Sequence, residues 1–533
     1  MRPSPGRPYR VPGGERLNSN VQLYKWIWGI PIGVFLLRCL FQGLIFPWEL
    51  SGDEAQYWDW TRHPALSYYT KGPGVTWFIT ATTTLFGDNI LGIRIGSFLF
   101  HAIAGIAVGS IALQISGNDR KVVLTTVLAY QFLLGYQIAG SLMTVDMMMV
   151  SGWSVATWAT IRVVQMARSG DSVTFHLCLI GAAMGFSFLA KYTALLGLLG
   201  LLIGVWPNKA LIKSARGYKA GICGAALSFS LGMLPVILWN ATRGWPTVEH
   251  LLGHLHVPGG DSGTTSWLEY DPLWTLQFAL QLLGLAGPIL GYLLLRGAVA
   301  ALERGSSTKA DLRIPLWSAL PVMGFYLLVS LKGPTEGNWI VGAYAPLLPL
   351  GMLWLSQHHS LFTQKILLLL IAIRGTLTGG LLLLLMAVAP SLNSGLQSLG
   401  LKPLPLHRVA GHSLFAEQLQ QIAIDEKLES APIICNYYDK TALLAYYLPG
   451  KPTVFCASVT LGSRPSAYDD FKETIFPAPR FSGQTVILVG STIEAWQHAL
   501  APEEIKELGI LEQRGRPRSV FRAKLGRFEK SAG

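Results

Sequence analysis

Charge is scarce in this chain. Only 14% of its 533 residues are Asp, Glu, Lys or Arg, while 51% are hydrophobic. A soluble globular domain carries about 25% charged residues, so that class is excluded and a membrane protein is expected. Cysteine is scarce too: there are five, and no two stand at C-x-x-C spacing. That excludes a zinc cluster or a disulfide scaffold; only Cys435 and Cys456, in two strand-like stretches, suit a disulfide. No Gly-rich phosphate loop or dinucleotide fingerprint is present, so nucleotide chemistry is not expected. The net charge of +12 is scattered between apolar runs, which argues against nucleic acid as a partner. There is no internal repeat of the solenoid type. The first apolar run lacks the short core and small-residue cleavage site of a signal peptide, so it is expected to stay as an anchor.

Long apolar runs are what the chain has in abundance. Read against charged breaks, they predict eleven spans near 22–46, 92–115, 122–139, 147–166, 174–190, 193–206, 220–240, 273–295, 314–331, 339–356 and 365–389; several reach the ~20 residues that cross a bilayer. Alternate connecting segments hold seventeen Lys and Arg against five in the others. By the positive-inside rule the amino terminus is then cytoplasmic and the lysine-poor loops face outward. The expected organisation is a cytoplasmic arm over 1–21, a transmembrane domain over 22–390 with its first outer loop at 47–74, and a soluble extracytoplasmic domain over 391–533. In the last, "APIICNYY", "KPTVFCAS" and "GQTVILVG" have strand character, and "HSLFAEQLQQIAIDEKLE" and "DKTALLAYYLP" have helical periodicity. The fold class is thus a polytopic α-helical membrane protein with a small C-terminal α/β domain.

The polar residues of the outward loops are the candidates for chemistry. In "SGDEAQYWDW", Ser51 and Glu54 match a capping box, but a cap needs only one acid. Asp53 is left over, on one helical face with Gln56, Tyr57 and Trp60, and an ionised Asp at the mouth of a membrane cavity can accept a proton from a hydroxyl or hold a cation. Lys71, after Tyr69 and before a Gly-Pro-Gly turn, either snorkels to the head groups or faces a phosphate. Asp146, at the margin of an apolar helix, is a capping acid or a costly functional one, and Lys191 could neutralise it. Lys332, Glu336 and Trp339 come from another outward loop. Each alone reads as a solvated loop residue; together they gather acids, lysines and aromatics at the depth of a lipid head group. His250, His254 and His256 lie in the 241–272 loop, the first two at i, i+4 spacing. Without a third ligand of matching spacing, an amphipathic membrane-surface segment is the simpler account of them.

The pieces "DEAQYWDW", "LSYYTKGPG", "LFGDNILGIRIGSFLF", "TVDMMMV", "FLAKYTALL" and "EGNWIVGAYAPLLPL", in that order, resemble the GT-C superfamily of polyprenyl-phosphate-sugar-dependent glycosyltransferases, which includes the dolichyl-phosphate-mannose protein mannosyltransferases and aminoarabinose transferases. "LLAYYLPGKPTVF" and "SRPSAYDDF" are similar to the soluble tail of its bacterial members. The resemblance implies a GT-C fold and an integral inner-membrane protein with its site on the extracytoplasmic side. It implies a polyprenyl-phosphate-sugar donor and a lipid, glycan or protein acceptor. Asp53 would be the catalytic carboxylate, with Glu54 and Asp146 beside it, and Tyr57, Tyr69, Lys71, Lys191, Lys332, Glu336 and Trp339 would bind substrate. Some aminoarabinose transferases carry a metal-ligating Glu directly before the first-loop lysine where this chain has Thr70, which leaves a divalent metal possible but unassigned, and no other cofactor is expected. The alternative is a polytopic transporter or flippase for a lipid-linked sugar, which more often shows internal symmetry and helices broken at the midplane. A membrane scaffold that binds a partner through its soluble domain is a third class.

Overall fold

The structure, a computed structural model, describes residues 13–45, 48–261, 270–303, 310–400, 410–513 and 516–528. Residues 1–12 of the expected arm lie outside them, and the rest of the arm is already helical. Helix α1 (Gly13–Arg38) continues through a π-helical turn over Cys39–Ile45. Two shorter helices, α2 (Gly52–Trp60) and α3 (Gly74–Phe86), bracket the first loop. Then come α4 (Ile90–Ser116), α5 (Arg120–Phe132), α6 (Leu134–Ala139), α7 (Val145–Ser169), α8 (Thr174–Ala190), α9 (Ala194–Val205), α10 (Lys209–Ser214) and α11 (Tyr218–Ala241). The bundle is completed by α12 (Pro246–His254), α13 (Pro272–Ala286), α14 (Pro288–Glu303), α15 (Ala310–Ser330), α16 (Val341–His358) and α17 (Leu361–Ser398).

All eleven apolar segments fall on helices among the described residues. Among the described residues, seven helices are long and apolar enough to cross a membrane, or eight if α13 and α14, bent by 100°, form one span. The remaining three segments are α5 with α6, interrupted at Leu133, α7, which is more polar, and α8, with only 17 residues. Gly287, at φ +83°, makes the bend, and Arg374 of α17 donates to the Gly284 and Ala286 carbonyls that the break leaves open, at 2.6 and 3.2 Å. Helices α8 and α11 pack through small residues: a Cβ on Gly181 would stand 2.1 Å from the Ala225 carbonyl oxygen, and one on Gly232 2.6 Å from the Gly185 Cα. Such close backbone approach is how helices associate where no hydrophobic difference drives them together.

The C-terminal domain carries α18 (His412–Asp425), α19 (Tyr438–Tyr447) and α20 (Ile493–Leu500) around a five-stranded sheet. Strands β1 (Ile433–Cys435), β2 (Phe455–Cys456), β3 (Thr485–Val489), β4 (Glu504–Gln513) and β5 (Arg516–Lys524) take the order β2-β1-β3-β5-β4. The first three are parallel and the β4–β5 ribbon is added antiparallel. Cys435 and Cys456 stand opposite each other in register, but both are free, buried thiols.

This domain sits on the first loop. The Glu49 carboxylate accepts the backbone N–H groups of His412 and Ser413, each at 2.9 Å, and the Ser413 hydroxyl. It thereby caps the N-terminus of α18 with negative charge. Tyr447 meets the Leu50 N–H at 2.7 Å, Tyr468 donates to Asp59 at 2.7 Å, and Lys451 pairs with Asp88 at 2.6 Å. Helix α2 is therefore buried from Glu54 to Trp60 between the bundle and the domain.

Candidate active site

Helix α2 starts as its sequence requires. Ser51 is the N-cap, its hydroxyl accepting the Glu54 N–H at 3.4 Å while the Glu54 carboxylate accepts the Ser51 N–H at 3.0 Å. Glu54 does more than close the cap. Arg94 of α4 grips it through two bonds of 2.7 and 2.8 Å, and the Met143 N–H adds a third at 2.9 Å. Both side chains of this ion pair are fully buried. Burial opposes the charge, but Arg94 and the N–H donors hold the Glu54 pKa below the usual carboxylate range. With both oxygens engaged, Glu54 holds the fold of the first loop and lines none of the cavities described below.

Asp53, one residue earlier on α2, points the other way. Its carboxylate has no hydrogen bond or ion pair among the described residues and lies on the wall shared by two polar cavities. The side chain is open to the cavity while protein surrounds the cavity itself. That burial pushes its pKa up; Lys71 works against the shift, and the negative charges of Asp146, Glu336 and Asp439 add to it.

The smaller polar cavity, 300 Å³, brings together Asp53, Gln56, Tyr57, Lys71, Asp146, Lys191, Glu336, Asn338 and Trp339. Lys71 is placed by its neighbours. Trp60 stacks on Tyr68 at 4.3 Å, and the Gly72-Pro73-Gly74 turn lies against the end of α8, where a Cβ on Gly72 would stand 2.2 Å from the Leu189 carbonyl oxygen. This close approach sets Lys71 beside Lys191, two residues beyond Leu189. Burial and the like charge of Lys191 push the Lys71 pKa down, against the pull of Asp53, Asp146 and Glu336. Asp146 in the first turn of α7 is spent on Lys191, at 2.8 Å. Thr144 is the N-cap residue, without a side-chain cap bond.

Two further cavities adjoin this one. An apolar cavity of 280 Å³ opens between α9, α12 and α15, lined by Leu195, Leu196, Leu251, Phe325 and Tyr326. A polar cavity of 690 Å³ lies between Asp53 and the C-terminal domain, with Glu336, Tyr437 and Tyr438 common to it and the smaller polar cavity.

Of the residues picked out by sequence, Asp53, Tyr57, Lys71, Asp146, Lys191, Glu336 and Trp339 meet here. Tyr69 and Lys332 do not line these cavities; the Tyr69 hydroxyl instead donates to Asp261 at 3.2 Å. Sequence reasoning missed Tyr437, Tyr438 and Arg464, which the C-terminal domain brings over the smaller polar cavity. His250 and His254 also line that cavity, so their i, i+4 spacing was the signal, read as a surface face. Among the described residues no three His, Cys, Asp or Glu side chains form a metal-binding group; Thr70 offers no carboxylate and Asp146 is committed to Lys191. These residues do not fit a resident metal.

The dolichyl-phosphate-mannose-protein mannosyltransferase family matches residues 70–239, from Thr70, just before the first-loop lysine, into α11. The chain is 28% identical over 293 residues to lipid A galacturonosyltransferase RgtD of Rhizobium johnstonii, covering 55% of this chain and 58% of that protein. It is 26% identical over 193 residues to undecaprenyl phosphate-alpha-4-amino-4-deoxy-L-arabinose arabinosyl transferase of Serratia proteamaculans, covering 36% and 34%. These matches thus span less than two thirds of either relative's length. Two crystal structures of ArnT from Cupriavidus metallidurans share the fold. The apo form has a TM-score of 0.59 at 16% identity, covering 95% of this chain and 98% of that one. The form bound to undecaprenyl phosphate has a TM-score of 0.60 at 15% identity, covering 96% and 98%. In fold the chain is thus similar to ArnT over nearly its whole length, and over residues 70–239 in sequence it is similar to the dolichyl-phosphate-mannose-protein mannosyltransferase family.

Proposed function

We propose that this chain is an integral membrane glycosyltransferase that moves one sugar from a polyprenyl-phosphate carrier to an extracytoplasmic lipid acceptor. The observation that carries the proposal is the open Asp53 carboxylate, set between two polar cavities and coupled to the charge of Lys71. The names of the two relatives support an undecaprenyl-type donor and an acceptor of the lipid A kind. The distribution of Lys and Arg supports the extracytoplasmic side for the site.

The donor tail occupies the apolar cavity, its phosphate faces Lys71 and Lys191, and its sugar enters the smaller polar cavity. The acceptor comes from the larger cavity beneath the C-terminal domain. Its hydroxyl gives its proton to Asp53 as its oxygen bonds to the anomeric carbon. The bond from that carbon to the phosphate oxygen breaks, and the electron pair leaves with polyprenyl phosphate. The added charge on the phosphate develops opposite Lys71, which is preorganised for it by the pinned loop. One displacement inverts the anomeric centre. Asp146 holds Lys191 in place.

Mass spectrometry of envelope lipids from cells with and without the chain tests this: one lipid is expected to gain the mass of a single glycosyl residue. Identical lipids, with the protein inserted, would refute a lipid acceptor. The pH profile tests the base. Asp53 accepts a proton only when ionised and its pKa is raised, so kcat/KM is expected to fall with decreasing pH through a value above the ~3.9 of an ordinary aspartate. On the alkaline side it falls as Lys71, with its lowered pKa, loses its charge. An acid limb at or below the ordinary value would remove Asp53 as the base.

A further inference from the structure

The apolar cavity and the smaller polar cavity share six lining residues: Thr70, Lys71, Lys191, His250, His254 and Trp339. They form the neck where an apolar chain gives way to a polar head. If a lipid-linked donor lies here, as proposed above, its phosphate sits in this neck. Two of the six are lysines; two more are the histidines of α12, which the mechanism above leaves unused.

His250 is built into place. The residue is 6% exposed, and its Nδ1 is 2.8 Å from Asp261 Oδ2, the same oxygen that accepts the Tyr69 hydroxyl at 3.2 Å. Asp261 is itself buried, and Arg464 of the C-terminal domain lies 3.9 Å from its other oxygen. A carboxylate accepts the Nδ1–H, which fixes the ring and leaves Nε2 as the atom available to the neck. Nε2 makes no hydrogen bond among the described residues. His254 packs edge-on against His250 at 4.4 Å and against Trp339 at 5.3 Å.

The charged and titratable groups around His250 come from every neighbouring element: Asp261 and His254 from its own segment, Tyr69 and Lys71 from the first loop, Lys191 from the α8–α9 link and Arg464 from the C-terminal domain. Burial pushes the His250 pKa down, with Lys71 and Arg464 acting in the same sense and Asp261 against them. Burial and the neighbouring cations push that of His254 down to about 3. Both shifts favour the neutral rings in the empty neck. A phosphate supplies the negative charge that lets Nε2 take up a proton and donate it in a charge-assisted bond.

We propose that His250, oriented by Asp261, is a phosphate-binding residue of this chain, holding the lipid-borne phosphate opposite Lys71. Asp261 is its positioning residue. The test is the binding of undecaprenyl phosphate to the purified full chain in detergent, with inorganic phosphate as competitor. His250→Ala is expected to weaken binding about tenfold or more, the loss typical of a hydrogen bond to a charged group. His250→Gln, which carries an amide near the Nε2 position, is expected to keep most of the affinity. It also guards against misfolding of the alanine variant. Wild-type binding is expected to weaken from pH 6 to pH 8 more steeply than that of His250→Gln. Equal binding by wild type and His250→Ala would overturn this inference and leave the enzyme reading intact. A wild-type chain that fails to bind the lipid would overturn both. Displacement by equimolar inorganic phosphate would show a site for the free ion and refute the lipid neck.

Discussion

Asp53→Asn is expected to insert and fold as the wild type does and to lose sugar transfer by ~10²–10⁴-fold, the contribution of a positioned general base. Asparagine keeps the size of the side chain and removes the charge. Because Asp53 makes no hydrogen bond among the described residues, nothing in the packing of α2 depends on that charge; the cap rests on Ser51 and Glu54. The loss should therefore fall on kcat, with undecaprenyl phosphate still bound beside Lys71. Turnover of the purified variant with a lipid-linked donor measures the first quantity, and binding of the carrier measures the second. A variant within a few-fold of wild-type turnover would remove position 53 from the reaction. A variant that has lost carrier binding as well would make Asp53 part of the donor site instead.

Arg94→Met should act on stability. Glu54 would stay buried without its partner, and breaking a buried pair from one side costs ~3–5 kcal/mol. Arg94 also donates to the Trp48 and Glu49 carbonyls at 2.9 and 2.8 Å, so the entry into α2 loosens at the same time. Unfolding of the detergent-solubilised variant is expected to show most of that loss. Glu54→Gln in the same background is expected to recover part of it, because the double variant no longer strands a charge. Wild-type stability for Arg94→Met alone would mean that the pair carries no weight in the fold.

Much of this arrangement was legible where the signal was local. The capping box needs only Ser51 and Glu54 at the right spacing, and the apolar runs mark helices whatever surrounds them. Convergence of Asp53, Lys71, Asp146 and Lys191 could be argued because each sits at the end of a predictable helix or on a stiff turn. The partner of Glu54 could not, since Arg94 lies 40 positions away within an apolar helix. Tyr437, Tyr438 and Arg464 were hidden for a related reason: they reach the site only through docking contacts such as Tyr468 to Asp59, 409 positions apart in the chain. That Tyr69 and Lys332 lie off these cavities could not be read, because side-chain direction in an irregular loop has no period. Strand-forming segments were found from composition, but the sheet order was not, because pairing of β3 with β5 is decided by non-local contacts.

The roof and the floor of the cavity beside Asp53 come from separate parts of the chain. Lys71 and Lys191 belong to the bundle, whereas Tyr437 and Tyr438 ride on a domain held by Glu49, Asp59 and Asp88. Inheritance can act on these two parts independently. If the proposed function holds, substitutions on this C-terminal part change which acceptor is admitted while the lysines of the bundle stay as they are, so diversification should be concentrated there.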